Sequence, residues 1–266
     1  AGKGIALMAG HFCSGSSIPA SAVYAESGII QISPASTNPK FTDERAGPGT
    51  FRVCGRDDAQ GKVAGAYIAE KFKGKKIAII DDKSPYGKGL ADETRKALNA
   101  AGVTEDLNDS YNAGEKDYSA LVTKLKDLKA DVVYFGGYHP EAGLILRQSA
   151  EQSLKFQLIM PDSIASPEFW QIAGPAGEGT MFVFPSDPQA KPEAKEAIEA
   201  IKAGGFVPEG FTLFSYATIQ AIAQGIERAG TDEDAAAVAA ALKDGKPIQT
   251  VVGEVVFDEK GALKNA

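Results

Sequence analysis

Cysteine, histidine and tryptophan are scarce in this chain of 266 residues, which holds two, two and one of them. Cys13 and Cys54 belong to no CxxC pair, and His11 and His139 stand far apart, so the spacing of a metal site is absent. There is no GxxxxGK(S/T) loop, no GxGxxG fingerprint and no GxSxG elbow, which disfavours nucleotide phosphate and a serine nucleophile of that type. No apolar run approaches the ~20 residues that cross a bilayer. Charge is mixed, −7 overall, with no basic stripe. That argues against a nucleic-acid partner, and no basic recognition helix supports the core of a transcriptional regulator. Repeats of about 20–50 residues are missing, and the only low-complexity tract is the alanine run at 235–241. With 44% hydrophobic and 24% charged residues, the chain has ordinary globular composition and length for one or two domains. It opens at Ala1-Gly2-Lys3-Gly4 and passes almost directly into a strand, as a fragment or processed form would. Cys13 could pair with Cys54, with a cysteine outside this chain, or with nothing.

Strand and helix patterns alternate from end to end. Strands are expected at Ile5–Ala9, Ile29–Ser33, Thr50–Cys54, Lys76–Asp81, Val132–Phe135, Phe156–Met160, Thr180–Phe184 and Val251–Phe257. Helices are expected over 17–26, 60–72, 87–101, 118–128, 141–151, 192–202, 212–229 and 235–243. In the helix over 60–72, Val63, Tyr67, Ile68 and Phe72 recur at helical spacing, and in that over 212–229 Tyr216, Ile219, Ile222 and Ile226 are expected to face inward. Alternating βα units imply an α/β fold with parallel sheets covered by helices on both faces. Two polar, glycine- or proline-broken seams, Arg52–Asp58 and Phe184–Pro192, set off about 130 residues, the size of one α/β lobe. The expectation is one lobe from 1–55 plus 187–266 and a second from 56–186.

Five strand ends are followed at once by polar or aromatic residues, and in a parallel sheet such positions line the ligand crevice. Ser14, Gly15, Ser16 and Ser17 lie between a strand and a helix, where hydroxyls and free amides suit an anion; plain N-capping by a serine is the simpler reading. Ser33-Pro34-Ala35-Ser36-Thr37-Asn38-Pro39 is stiffened by prolines at both ends, so that the Ala35 carbonyl and the Thr37 amide and hydroxyl can point at a ligand; the simpler reading is an irregular loop. Tyr86 and Tyr138 each follow a strand end and offer an apolar face with a polar tip, or serve only as core aromatics. Asp162 could hold an ammonium, or cap the helix entered near Ser166-Pro167. His11 and His139 read as structural, and Asp81-Asp82 and Asp57-Asp58 as capping or solvated pairs.

Several of these segments, taken in order, resemble the periplasmic leucine/isoleucine/valine-binding proteins of ABC transporters, within the type I periplasmic binding proteins. They are Gly10-His11-Phe12-Cys13-Ser14, Ile18-Pro19-Ala20-Ser21, Ile32-Ser33-Pro34-Ala35, Asp82-Lys83-Ser84-Pro85-Tyr86-Gly87, Ala113-Gly114-Glu115-Lys116-Asp117, Gly136-Gly137-Tyr138-His139-Pro140-Glu141 and Phe257-Asp258-Glu259-Lys260-Gly261. The resemblance implies two Rossmann-like lobes joined by a hinge, with a free amino acid trapped between them. It implies a membrane permease as partner, a periplasmic location, a monomer, no cofactor and no catalysis. Carried over by position, Ser14 and Thr37 hold the α-carboxylate, the Ala35 carbonyl and Asp162 hold the ammonium with Tyr138 assisting, and Phe12, Tyr86 and Phe211 line the side-chain pocket. Cys13 and Ser36 complete the candidate set, and Cys13 aligns with a half-cystine whose usual partner lies upstream of Ala1. Two departures bear on the ligand. The family often carries Glu where this chain has Asp162, and a smaller aliphatic residue where it has Phe12, a combination that resembles binders of alanine, proline, valine or γ-aminobutyrate. The family also has amino-terminal βα units and a carboxyl-terminal segment that this sequence does not match. An amino-acid sensor using the same closure is the rival to transport.

Overall fold

The computed structural model describes residues 5–264, so the opening Ala1-Gly2-Lys3-Gly4 lies outside the described residues. In chain order the elements are β1 (Leu7–Ala9), α1 (Ser14–Glu26), β2 (Ile30–Ser33), α2 (Lys40–Asp43), β3 (Thr50–Arg52), α3 (Asp57–Lys71), β4 (Ile77–Asp81), α4 (Pro85–Ala100), β5 (Leu107–Ser110), α5 (Ser119–Leu128), β6 (Val132–Gly136), α6 (His139–Glu151), β7 (Gln157–Met160), α7 (Pro167–Ala173), β8 (Met181–Phe182), α8 (Lys195–Ala203), α9 (Thr212–Ala229), α10 (Ala235–Leu242), β9 (Ile248–Thr250) and β10 (Gly253–Val255). Short 3-10 turns punctuate the chain between β7 and α8. Two compact units result, one running up to Arg56 and resuming at Ser186, the other Asp57–Pro185.

The unit Asp57–Pro185 is a five-stranded sheet in the order β5-β4-β6-β7-β8, parallel throughout. Every residue of β4 and β6 is buried, as continuous apolar runs covered on both faces must be. Alternation divides them. Ala78, Ile80, Val133 and Phe135 join Leu121, Leu125 and Ile145 on one face, whereas Ile77, Ile79, Val132 and Tyr134 join Ile68 and Leu98 on the other. Full burial of each such aliphatic side chain contributes about 1.5–3 kcal/mol. Ser84 caps α4, its Oγ accepting from the Gly87 amide at 2.9 Å, with Pro85 at the first helical position.

In the other unit β1, β2 and β3 form a parallel sheet. Ile30, Ile32, Phe51 and Val53 meet Ala221 of α9 and Val238 and Leu242 of α10 in its core. The segment expected as one strand over Val251–Phe257 is instead the end of an antiparallel hairpin, β9 against β10, turning at Val251 and Val252. A parallel-only reading of the alternation therefore fails there. The strand β5 was not expected at all, because Leu-Asn-Asp-Ser carries little apolar signal.

The expected helix faces hold in part: Ile222 and Ile226 of α9 and Tyr67, Ile68 and Phe72 of α3 pack against the cores, whereas Tyr216, Ile219 and Val63 do not. Tyr216 and Ile219 are 43% and 56% exposed, and α9 instead buries Ala217, Thr218, Ala221 and Gly225. Val63 is 57% exposed, while α3 buries Gln60, Gly61, Ala64, Gly65 and Ile68. Close helix contact explains both. A Cβ on Gly65 would lie 2.4 Å from the Thr94 carbonyl oxygen of α4, and one on Gly61 2.8 Å from the Thr94 amide nitrogen. Alanine at position 65 gains about 1 kcal/mol in helix propensity. That contact with rigid backbone costs more, of order 1–3 kcal/mol. Gly65→Ala should therefore lower the urea midpoint; an unchanged or raised midpoint would mean that α3 and α4 separate without cost.

Candidate functional site

Each unit carries a polar cluster beyond the carboxyl ends of its parallel strands. In the unit containing β1–β3, residues 10–13 follow β1 and lead into α1, and residues 34–39 follow β2. The N-cap of α1 is Cys13, with no side-chain capping bond, so the serine-cap reading does not hold. Ser14 is the first helical residue, and its Oγ accepts from the Asn38 amide at 3.2 Å. A hydroxyl that accepts there keeps its own proton to donate. Ser33 Oγ donates to the His11 carbonyl at 2.6 Å and accepts from the Ala35 and Ser36 amides. Ser36 Oγ sits 2.6 Å from Ser17 Oγ and within 3.2 Å of the His11 and Phe12 carbonyls, so its hydroxyl joins the two loops and is fully buried. Thr37 Oγ1 is buried and makes no hydrogen bond among the described residues. Beside this cluster Phe12, half exposed, meets Phe211 edge-on at 5.5 Å, and Phe211 leans on Phe214. Cys13 and Cys54 form no disulfide with each other.

Arg52, which sequence reasoning passed over, organises the second of these loops. It is fully buried at the end of β3. Its Nη1 donates to the Ser36 carbonyl at 2.6 Å, and its Nη2 to the Asn38 carbonyl and Thr42 Oγ1, both at 2.8 Å. The guanidinium also lies over the Phe41 ring at 5.4 Å. Thr37 is held between two clamped carbonyls. An arginine between Phe51 and Val53 in an apolar strand was the available signal, since a buried charge is costly unless hydrogen-bonded.

The cluster in Asp57–Pro185 centres on Asp162, which follows β7 and is buried. Tyr86 Oη donates to Asp162 Oδ1, and the Ser163 amide donates to Tyr86 Oη at 3.2 Å. Gln60 Nε2 donates to Asp162 Oδ2 at 2.9 Å, while the Asp162 amide donates to Gln60 Oε1 at 3.3 Å. The cap of α7 is Ser166, whose Oγ accepts from the Glu168 amide, so Asp162 is not that helix's cap. Tyr138 leans on Tyr86 with ring centres 4.9 Å apart and planes tilted by 31°. Glycines permit this approach: a Cβ on Gly87 would lie 2.4 Å from the Gly136 carbonyl oxygen, and one on Gly136 2.2 Å from that of Gly87. Gln60 was missed because a glutamine inside a glycine- and alanine-rich helix carries no motif; its signal was a polar side chain on the buried face.

Burial pushes the Asp162 carboxyl up to about 6, against the opposing pull of the Tyr86 and Gln60 hydrogen bonds. The same burial, together with the Asp162 charge, raises the Tyr86 phenol, which stays protonated as a donor. All the groups that offset the cost of the carboxylate are neutral. The remaining polar candidates take structural roles. His11 Nε2 lies 2.9 Å from Tyr24 Oη, and His139 bridges the Ser163 carbonyl and Glu168. Asp81 and Asp82 accept from the Lys83 and Ser84 amides, yet both are buried rather than solvated. Among the described residues no His, Cys, Asp and Glu group is placed to hold a metal ion.

Two α/β units, each with polar residues beyond the carboxyl ends of its parallel strands, are the architecture of a solute-binding protein. The family model for periplasmic binding proteins matches residues 2–265, and the chain belongs to that family. A Leu/Ile/Val-binding protein homolog of Brucella suis is 52% identical over 264 residues, which cover 99% of this chain and 71% of that protein. An amino acid binding protein of Pseudomonas aeruginosa is 50% identical over 264 residues, 98% of this chain and 70% of that one. Among solved structures, the leucine-binding protein LivK of Thermotoga maritima matches with a TM-score of 0.88 at 26% identity, over 98% of this chain and 74% of that one. The branched-chain amino acid transporter substrate-binding protein LivJ of Streptococcus pneumoniae, solved with isoleucine, matches in fold with a TM-score of 0.84 at 24% identity, over 97% and 73%.

The raised Asp162 carboxyl has a consequence for stability. Unfolded, an aspartate ionises near 3.9; folded, this one does so at about 6. Between those values the native state holds the extra proton, so stability falls as pH rises, and the loss is complete above about 6. Two units correspond to about 3 kcal/mol. Without ligand, Asp162→Asn should exceed the parent in stability at pH 7 by about 1–3 kcal/mol and match it near pH 4. Urea titrations at both values check this, and equal stabilities at both would mean that the carboxylate bears no burial cost.

Proposed function

We propose that this protein is the solute-binding component of an amino-acid ABC importer, taking up a branched-chain or small aliphatic amino acid in the periplasm and delivering it to a membrane permease. The observation that carries the reading is Asp162, a buried carboxylate whose hydrogen-bond partners are all neutral. An ammonium ion is the complement such a group lacks, through charge-assisted hydrogen bonds. The other unit supplies the opposite chemistry: Ser14 with a proton to donate, Thr37 with a buried hydroxyl, and the amide-bearing 34–39 loop. An amino acid carries one charge complementary to each of these sets. The names of the relatives support an amino-acid ligand.

Phe12 favours the smaller members of this class. Its ring, half exposed and braced by Phe211, occupies volume that a larger side chain would use. Asp162 reaches one methylene less far than a glutamate would. Alanine, proline, valine and γ-aminobutyrate are therefore the ligands to set against leucine and isoleucine.

Thermal-shift measurements against the common amino acids and γ-aminobutyrate test the reading. A ligand at 100 times its Kd stabilises by about 2.7 kcal/mol, a shift of several degrees. Stabilisation by at least one aliphatic amino acid is expected, and Asp162→Ala should weaken it at least tenfold; retained affinity in that variant would remove Asp162 from the site. Phe12→Ala should shift preference toward leucine relative to alanine by about 1–3 kcal/mol, the worth of a few methylenes in an apolar pocket. Unchanged relative affinities, measured by calorimetry, would take Phe12 out of the pocket wall.

A further inference from the structure

We infer that Gln60 is a positioning residue for the proposed ammonium subsite: its side-chain amide fixes the orientation and charge state of Asp162 without touching the ligand. This rests on the reading of Asp162 as the ammonium's partner.

The geometry is reciprocal. Gln60 Nε2 donates to Asp162 Oδ2, and Gln60 Oε1 accepts from the Asp162 amide. One amide thereby spans the carboxylate and the backbone of the same residue. The plane of the carboxylate is thus tied to the main chain as it leaves β7. Tyr86 holds the second oxygen, so both oxygens have fixed donors, with further lone pairs on each left for a cation. A tyrosine alone would leave rotation about the Cβ–Cγ bond open.

Gln60 can do this because α3 is seated so closely on α4. Gly61, its neighbour, lies against Glu93 and the Thr94 backbone, and Gly65 against the Thr94 carbonyl. The two helices carry the two donors, Gln60 and Tyr86, so their spacing sets the spacing of the hydrogen bonds at Asp162. The other titratable groups around it are Asp57, one turn earlier on α3, Tyr134 of β6, Tyr138 beyond β6, and His139 of α6, which contacts the Ser163 carbonyl. Gln60 is the one side chain among these neighbours that is neutral at every pH and bonded to Asp162 at both ends.

The experiment is a pair of pH titrations on the parent, Gln60→Leu and Gln60→Asn. The Asp162 side-chain carbon is followed by NMR in ligand-free protein, and affinities for L-valine and L-leucine are measured by calorimetry from pH 5 to 8. Leucine keeps the volume and removes the amide; asparagine keeps an amide one methylene short. Both should raise the Asp162 titration midpoint by about one unit, since the bond they remove favours the ionised form. The midpoint of the affinity profile should rise with it, which at pH 6 is a loss of about fivefold. In an Asp162→Asn background, Gln60→Leu should change affinity no further. An NMR midpoint unmoved in Gln60→Leu, or an equal affinity loss in the Asp162→Asn background, would overturn the inference. A midpoint that moves as expected while the parent binds no amino acid would instead overturn the amino-acid reading, and leave Gln60's hold on Asp162 supported. Melting temperatures of the variants show that each is folded.

Discussion

A carboxylate removed from water must be hydrogen-bonded, paired or neutralised, and much of the unit Asp57–Pro185 is arranged around that requirement at Asp162. Five parallel strands bring β7 to a point where Asp162 leaves the sheet. Gly87 and Gly136 let the first turn of α4 settle on the end of β6, which brings Tyr86 to one oxygen. Gly61 and Gly65 let α3 settle on α4, which brings Gln60 to the other. Neutral donors lower the cost of the charge without cancelling it, so the group retains its attraction for a cation. A lysine or arginine in the same place would have stabilised the carboxylate further and used it up.

The companion unit uses different means. The polar groups beyond its strand ends are backbone amides and hydroxyls, whose directions depend on how the loops are fastened. A net of four side chains does this: Ser17, Ser33 and Ser36 knit the segment after β1 to the segment after β2, and Arg52 fixes the latter from below. Three of these residues are serines, and their value lies in satisfying buried carbonyls and amides that two irregular loops would otherwise leave unpaired.

Much of this was legible in the sequence. Apolar runs such as Ile77-Ala78-Ile79-Ile80 and Val132-Val133-Tyr134-Phe135 announce buried parallel strands, and polar or aromatic residues follow them beyond the strand ends. Tyr86, Tyr138 and Asp162 were therefore found from position alone, and the structure brings them together. Ser14, Ala35, Ser36 and Thr37 likewise converge, although the Ser36 hydroxyl turns to Ser17 rather than outward. What escaped notice shares one cause. Helix faces were read from large side chains, so Tyr216 and Ile219 were assigned inward with Ile222 and Ile226, while Ala217, Ala221 and Gly225 are buried in α9 beside Leu213 and Phe214. Small residues signal contact between backbones, which periodicity of bulk does not report. Arg52 and Gln60 were missed for a related reason: each supports a neighbour, and a supporting role has no motif.

Arg52 grips main-chain carbonyls at Ser36, Asn38 and Pro39. The bonds that Arg52 makes on either side of Thr37 are consequently independent of the side chain at position 37. Thr37, whose hydroxyl makes no hydrogen bond among the described residues, can be exchanged while the carbonyls on either side of it stay clamped. The arginine thus separates the shape of the loop from the side chain that the loop presents at position 37, so that one can vary while the other is kept.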